Sequence, residues 1–186
     1  MLAPWYPVSS NYQGKIEMKK SALLPFVLLF AGLLAFATAQ AKTLGYPDMK
    51  NASFLVEIPD DWTVEPGESV GDYVHVNSES GVYLAFRTVE ASDNAMKQAI
   101  EDSIAFLQEN YKNVKVGDPV EIKQAGQDAF VMDGNGKDSE GASVVFRMAW
   151  VALNDGTVGE VWFVAPADDE DGINAAGAAL SSFRAP

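Results

Sequence analysis

Gly67-Glu68-Ser69-Val70-Gly71 spells G-x-S-x-G, the pattern of a serine nucleophile presented on a tight turn. The chemistry would be acyl transfer, and it requires a strand before the serine, a helix after it and a base within reach. Here Pro66 precedes the motif, and the alternating run Tyr73-Val74-His75-Val76 follows it. A strand on the wrong side of the serine makes the five residues a glycine-rich turn. His75 is the only histidine. It alternates with Val74 and Val76, which puts it on the solvent or rim side of its strand. A hydrolase remains an alternative function, through Ser69 or through two carboxylates. Glycoside hydrolysis needs only two acids at the right separation, and nothing in the sequence singles out a pair.

One histidine and no cysteine limit the rest of the chemistry. Histidine-rich metal sites need two or three imidazoles, and thiolate ligands and nucleophiles are absent. Neither G-x-x-x-x-G-K-[ST] nor G-x-G-x-x-G occurs to cradle a phosphate. Asp133-x-Asn135 begins like a calcium loop, but Lys137 and Val144 stand where ligands are needed. The Asp168–Asp171 run ends in Gly172, with Ala167 and Ala178 at coordinating positions. The first stretch reads as a hairpin loop and the second as a helix start. No cofactor or metal is expected. Arg87 and Arg147 each interrupt an apolar strand. They read as stems packed along a sheet with their heads at the rim, or as an ion pair with Glu160. Tyr46, Trp62 and Trp162 could line a groove, but in a small domain they read as core.

Compartment is written near the start of the chain. Met18-Lys19-Lys20 leads into an apolar run from Ala22 to Phe36 that closes with Ala37-Thr38-Ala39 and Ala39-Gln40-Ala41. A basic start, an apolar middle and A-x-A ends are the parts of a secretory signal peptide. Residues 18–41 are therefore expected to be removed, with Ala39, Gln40, Ala41 and Lys42 marking the cleavage. A retained membrane anchor is the alternative, although the run is borderline against the roughly 20 apolar residues needed to span a bilayer. Residues 1–17 resemble neither a signal nor a domain; Met18 is expected to be the true start, with a disordered leader as the alternative. A mature domain over residues 42–186 follows, about 145 residues around one core.

Removing residues through Gln40 shifts the balance from 13 basic and 26 acidic residues to 10 and 25, a net charge of −15. A surface that acidic repels phosphate backbones and anionic headgroups. Neither nucleic-acid binding nor stable membrane insertion after cleavage is expected. An exported chain without cysteine has no disulfides, so hydrophobic burial must hold the fold.

The elements come from periodicity. Phe54, Val56 and Ile58 alternate with Leu55 and Glu57 and stop at Pro59, a strand. A short extended piece at Trp62–Val64 follows, then a hairpin of Tyr73–Val76 with Val82–Val89. In the latter, Val82, Leu84 and Phe86 share one face and Tyr83, Ala85 and Val89 the other, so both faces need cover. Met96, Ala99, Ile100, Ser103, Ile104, Leu107 and Tyr111 recur at helical spacing behind a Ser92 or Asp93 cap, and Pro119 bars continuation. Val120–Lys123 and Ala129–Asp133 are short strands, Gly134–Gly141 a polar loop, and Ala142–Ala152 and Thr157–Ala165 long strands. A two-residue Asp155-Gly156 turn would set Trp150 opposite Val161 and Met148 opposite Phe163, leaving Glu160 on the face of Arg147 and Trp162. A closing helix runs from Asp168 to Phe183. The order is β-β-β-β-α-β-β-β-β-α: α+β, an antiparallel sheet with helices on its faces.

Phe54-x-Val56-x-Ile58-Pro59-x-x-Trp62-x-Val64 resembles the opening strand of the PsbP-like superfamily, which includes photosystem II extrinsic proteins, Mog-type Ran-binding proteins and bacterial periplasmic domains. The order of hairpin, long helix, meander and closing helix ending in Leu180-Ser181-Ser182-Phe183 is similar over Leu44 to Arg184. The resemblance implies an α/β/α sandwich that works by docking on partners, without shared catalytic residues to transfer. The expectation is an exported, periplasmic or secreted, non-catalytic domain that binds a protein partner in the cell envelope or assists an envelope complex. A carrier of a small apolar ligand or lipid is the first alternative, a hydrolase the second.

Overall fold

The computed structural model describes residues 41–186. Residues 1–17, the apolar run and the cleavage residues Ala39 and Gln40 lie outside them. Strands β1 (Ala41–Tyr46), β2 (Phe54–Pro59), β3 (Thr63–Glu65), β4 (Val74–Asn77) and β5 (Tyr83–Glu90) precede helix α1 (Asp93–Asn110). Strands β6 (Lys112–Val116), β7 (Val120–Gln124), β8 (Gln127–Lys137), β9 (Ser143–Ala152) and β10 (Thr157–Pro166) then lead to α2 (Glu170–Ser181). The main sheet is antiparallel and runs β3-β4-β5-β10-β9-β8, with β6 and β7 end to end along the outer edge of β8. β1 and β2 form a separate two-stranded sheet.

The fold is the expected α+β arrangement, with a helix on each face of an antiparallel sheet. On one face, Met96 and Leu107 of α1 pack on Ala85, Phe146, Met148, Trp150, Trp162 and Val164. On the other, Ala176, Ala179 and Leu180 of α2 join β2 and Phe183 over Leu84, Phe86, Ala149, Val151, Val161 and Phe163. β5 is covered on both sides, as its double apolar pattern requires. Each large apolar side chain so buried contributes roughly 1.5–3 kcal/mol. α1 starts where Ser92 accepts a hydrogen bond from Ala95 N. α2 starts at Asp169, whose carboxylate accepts from Gly172 N.

Three parts of the fold differ from expectation. β1 and β6 are unforeseen strands; β6 takes up the chain immediately after α1, through Asn113 at φ 54. Gly134 to Lys137, expected in a loop, continue β8, which turns only around Asp138–Ala142. Glycine at 134 is a packing choice: a Cβ there would stand 2.1 Å from the Phe146 ring and 2.4 Å from the Lys115 carbonyl.

The third difference is the β9–β10 register. Glu160 stands opposite Trp150, and Val161 opposite Ala149. The connection is the three-residue loop Asn154-Asp155-Gly156, closed by Leu153 N donating to Thr157 O at 2.9 Å, with Gly156 at φ +83. A type I turn followed by a left-handed glycine is the standard three-residue hairpin loop. Asp155 reinforces it by accepting from Thr157 N at 2.9 Å and Thr157 Oγ1 at 2.6 Å. Expecting clean polar segregation failed because Glu160 is 0% exposed and has partners within the α1 face. Arg87 Nε donates to its Oε2 at 2.7 Å and Ser103 Oγ to its Oε1 at 2.7 Å. Of the two arginines considered for an ion pair with Glu160, Arg87 makes it, although the expected register had set Glu160 on the face of Arg147. Arg147 lies on the opposite face and makes a bidentate pair with Asp133, at 2.6 and 2.9 Å.

Three substitutions test these placements. Glu160→Gln leaves the half-buried Arg87 without its countercharge. It should lower unfolding free energy by about 3 kcal/mol in urea titration, near the low end for a broken buried pair. Gly159→Ala should cost about 1–3 kcal/mol through overpacking, because its Cβ would stand 2.3 Å from Phe183 Cζ. Gly177→Ala in α2, where no atom lies within 4 Å, should be neutral or stabilise by about 0.5–1 kcal/mol.

Candidate functional site

The β3–β4–β5 edge of the sheet holds an open concavity of about 460 Å³. Its floor is Tyr73, His75 and Arg87, and its wall is the loop from Glu65 to Asp72. The chain makes this loop because β3 is only three residues long and Pro66 ends it. Asp72 closes the turn: its carboxylate accepts from Ser69 N at 2.7 Å and its own N–H donates to Ser69 O at 3.1 Å. The Tyr46 hydroxyl holds the far end, accepting from Gly71 N at 2.8 Å and donating to Asp72 O at 3.0 Å.

No helix follows Ser69; the chain passes from β3 through this turn into β4. The G-x-S-x-G match is therefore a turn, and Ser69 sits on it exposed. His75 lies at the rim, as its alternation predicts, and its Nδ1 is 2.5 Å from the Tyr83 hydroxyl. Burial pushes the Tyr83 phenol up to about 12. Tyr73 is raised further, by burial first and then by the charge of Glu160. The Arg87 guanidinium lies 4.3 Å from the Tyr73 ring centre. Burial works against the Arg87 charge, but the Glu160 carboxylate more than offsets it and raises its pKa. These groups form a continuous layer beneath the concavity, since Trp162 packs on Tyr73, Tyr83 and Phe106.

Above that layer the charge is negative. Among the described residues Glu65, Glu68 and Asp72 have no ion-pair partner. Val70, at the tip of the same loop, is 77% exposed. Met49, on the loop after Tyr46, is also exposed, at 62%. The site thus offers carboxylates, an apolar tip and a rigid aromatic floor. Small-molecule pockets of this volume have mainly apolar walls; this one is lined by carboxylates and turn backbone.

The other sites considered in the sequence are structural. Asp133 is held by Arg147, and Asn135 lies within β8 where a hairpin loop was expected. The Asp168–Asp171 run starts α2, as expected. Tyr46, Trp62 and Trp162 are buried core. The space beside α2, lined by Ile122, Val131, Ala149, Val161 and Leu180 among others, amounts to about 60 Å³. Ligand pockets run to roughly 300–1,000 Å³, so this gap admits a few waters and no lipid chain. The acidic loop went unnoticed as a surface in the sequence. Its signal was present in Glu65, Glu68 and Asp72 spaced around an exposed Val70, but acids at such spacing are common in a chain this acidic.

No protein-family model matches the chain, and no curated protein matches it. Solved structures do. The Ran-binding protein Mog1p of Saccharomyces cerevisiae aligns with a TM-score of 0.52 at 11% identity, over 79% of this chain and 96% of that one. Cyanobacterial PsbP (CyanoP) of Synechocystis sp. PCC 6803 aligns with a TM-score of 0.55 at 11% identity, over 84% of this chain and 99% of that one. Similarity this remote in sequence and this complete in coverage is a likeness of fold: the chain shares its fold with Mog1p and cyanobacterial PsbP.

Proposed function

We propose that this chain is an exported, non-catalytic domain that docks on a protein partner in the cell envelope, through the concavity at the β3–β4–β5 edge. The observation that carries the proposal is the pairing of carboxylates that have no ion-pair partner among the described residues with an exposed apolar tip beside a rigid floor. Glu65, Glu68 and Asp72 stand on the same loop as the exposed Val70. Interfaces gain affinity from apolar anchors and gain rate and register from charge. A partner suited to this surface presents lysine or arginine beside an apolar side chain. The shared fold with a protein described as Ran-binding supports docking as the mode of action. His75 and Ser69 take no part in chemistry on this reading, the first bonded to Tyr83 and the second placed on a turn.

Export rests on the basic, apolar and small-residue segments of residues 18–41. If the leader is cleaved, intact-mass measurement of the protein from the envelope or medium should give a chain starting at Gln40 or Lys42. A chain that starts at Met1 or Met18 in that fraction would establish a retained anchor instead.

Charge reversal tests the docking face. Glu65→Lys with Glu68→Lys should weaken retention of the partner from envelope extract by at least about tenfold, and raising salt should weaken the wild type in the same direction. Asp118→Lys with Glu121→Lys, an equal change in two exposed residues at and just after the β6–β7 connection, should leave retention unaltered. Equal loss in both would mean that net charge alone, and no particular face, governs binding.

A further inference from the structure

Strand β1 reaches the edge of the main sheet with two side chains. Lys42 Nζ donates to the carbonyls of Asp60 at 3.1 Å and Trp62 at 2.6 Å, just ahead of β3. Four residues on, the Tyr46 hydroxyl bonds Gly71 N and Asp72 O, just ahead of β4. Positions 42 and 46 have the same parity, so both side chains leave the same face of the strand, about 13 Å apart. Everything between the two anchor points is β3 and the acidic loop, with Glu65, Glu68 and Asp72.

That segment has little else to fix it. β3 pairs with β4 over three residues only, Thr63 to Glu65. Within the loop, the bonds between Ser69 and Asp72 shape one turn but attach it to nothing. Tyr46, by contrast, is well placed to hold a position. Its ring is buried, stacks on Phe54 at 5.3 Å and meets Phe86 edge-on at 6.3 Å, so its hydroxyl is fixed by the core.

We propose that β1 is a strap: the docking concavity takes its shape only when β1 has paired with β2, and Lys42 and Tyr46 are positioning residues that hold the acidic loop from its two ends. The proposal rests on the docking reading for its purpose, though not for its geometry. Lys42 is the first residue of the expected mature domain, so cleavage a single residue later would free one end of the strap. Cleavage that leaves Lys42 in place keeps both.

The test uses the full chain with Tyr46→Phe, which keeps the ring and removes the hydroxyl, and Lys42→Met, which keeps the stem and removes the ammonium. Thr43→Ala, on the exposed side of β1, is the control. Amide hydrogen exchange should accelerate by about tenfold or more at Gly71 in Tyr46→Phe, as expected for an N–H that loses its acceptor. The double variant should extend the effect across residues 66–72, while β9 and β10 keep their protection. Unchanged exchange in the loop, or equal acceleration throughout the core, overturns the strap. Binding of an oligolysine peptide at low salt separates the two proposals. A loosened loop with about tenfold weaker peptide binding supports both. A loosened loop with undiminished binding leaves the strap standing and overturns the docking face. Weaker binding with an unaltered loop overturns the strap alone.

Discussion

Burying both faces of β10 is the constraint on which the rest of the structure depends. From Val158 to Ala165 every residue of this strand is buried. An antiparallel sheet can leave one face to water; this one cannot, because its central strands carry large apolar side chains on both. α1 covers one face, and α2 with β2 and Phe183 covers the other. Packing of that kind leaves interior space for a few waters beside α2. Recognition therefore falls to the edges and loops, which places the candidate surface at the short β3 edge.

One charged group sits inside this sealed layer, and its position fixes the geometry. Glu160 is desolvated completely, a cost that its bonds to Arg87 and Ser103 must offset. Buried ion pairs are poor sources of net stability, but they discriminate strongly between alternatives. A β9–β10 slip of one residue would move Glu160 to the α2 face, away from both partners. An α1 shifted by one turn would take Ser103 from its carboxylate. The same cluster holds Tyr73 and so levels the floor of the concavity, which links core register to the shape of the outer surface.

Much of this was legible in the sequence where burial makes a periodic pattern. The alternation in Phe54–Pro59 and Tyr83–Glu90 and the stripe of α1 could be read from spacing. β1 could not: Ala41-Lys42-Thr43-Leu44-Gly45-Tyr46 carries few large apolar residues, and its role lies in two side-chain tips that act on distant backbone. Gly134 and Gly136 looked like loop residues because composition does not distinguish a glycine needed for backbone freedom from one needed to admit a phenylalanine ring. The hairpin register went astray for a related reason. Sequence logic assigns a glutamate to a polar face, whereas the structure supplies partners from β5 and α1, far away in the chain. The acidic loop did not stand out as a site because its shape depends on Tyr46, some 25 residues earlier, bonding Gly71 and Asp72.

The central claim is that the sheet stays closed on both sides, so that the protein acts from its surface. Denaturant-dependent hydrogen exchange at the amides of Val161 to Val164 tests it most directly. The expected result is exchange only through global unfolding, with the full denaturant dependence of the whole domain. Exchange through a smaller opening, with weak denaturant dependence, would mean that a helix lifts from the sheet and that the interior is open to a ligand after all.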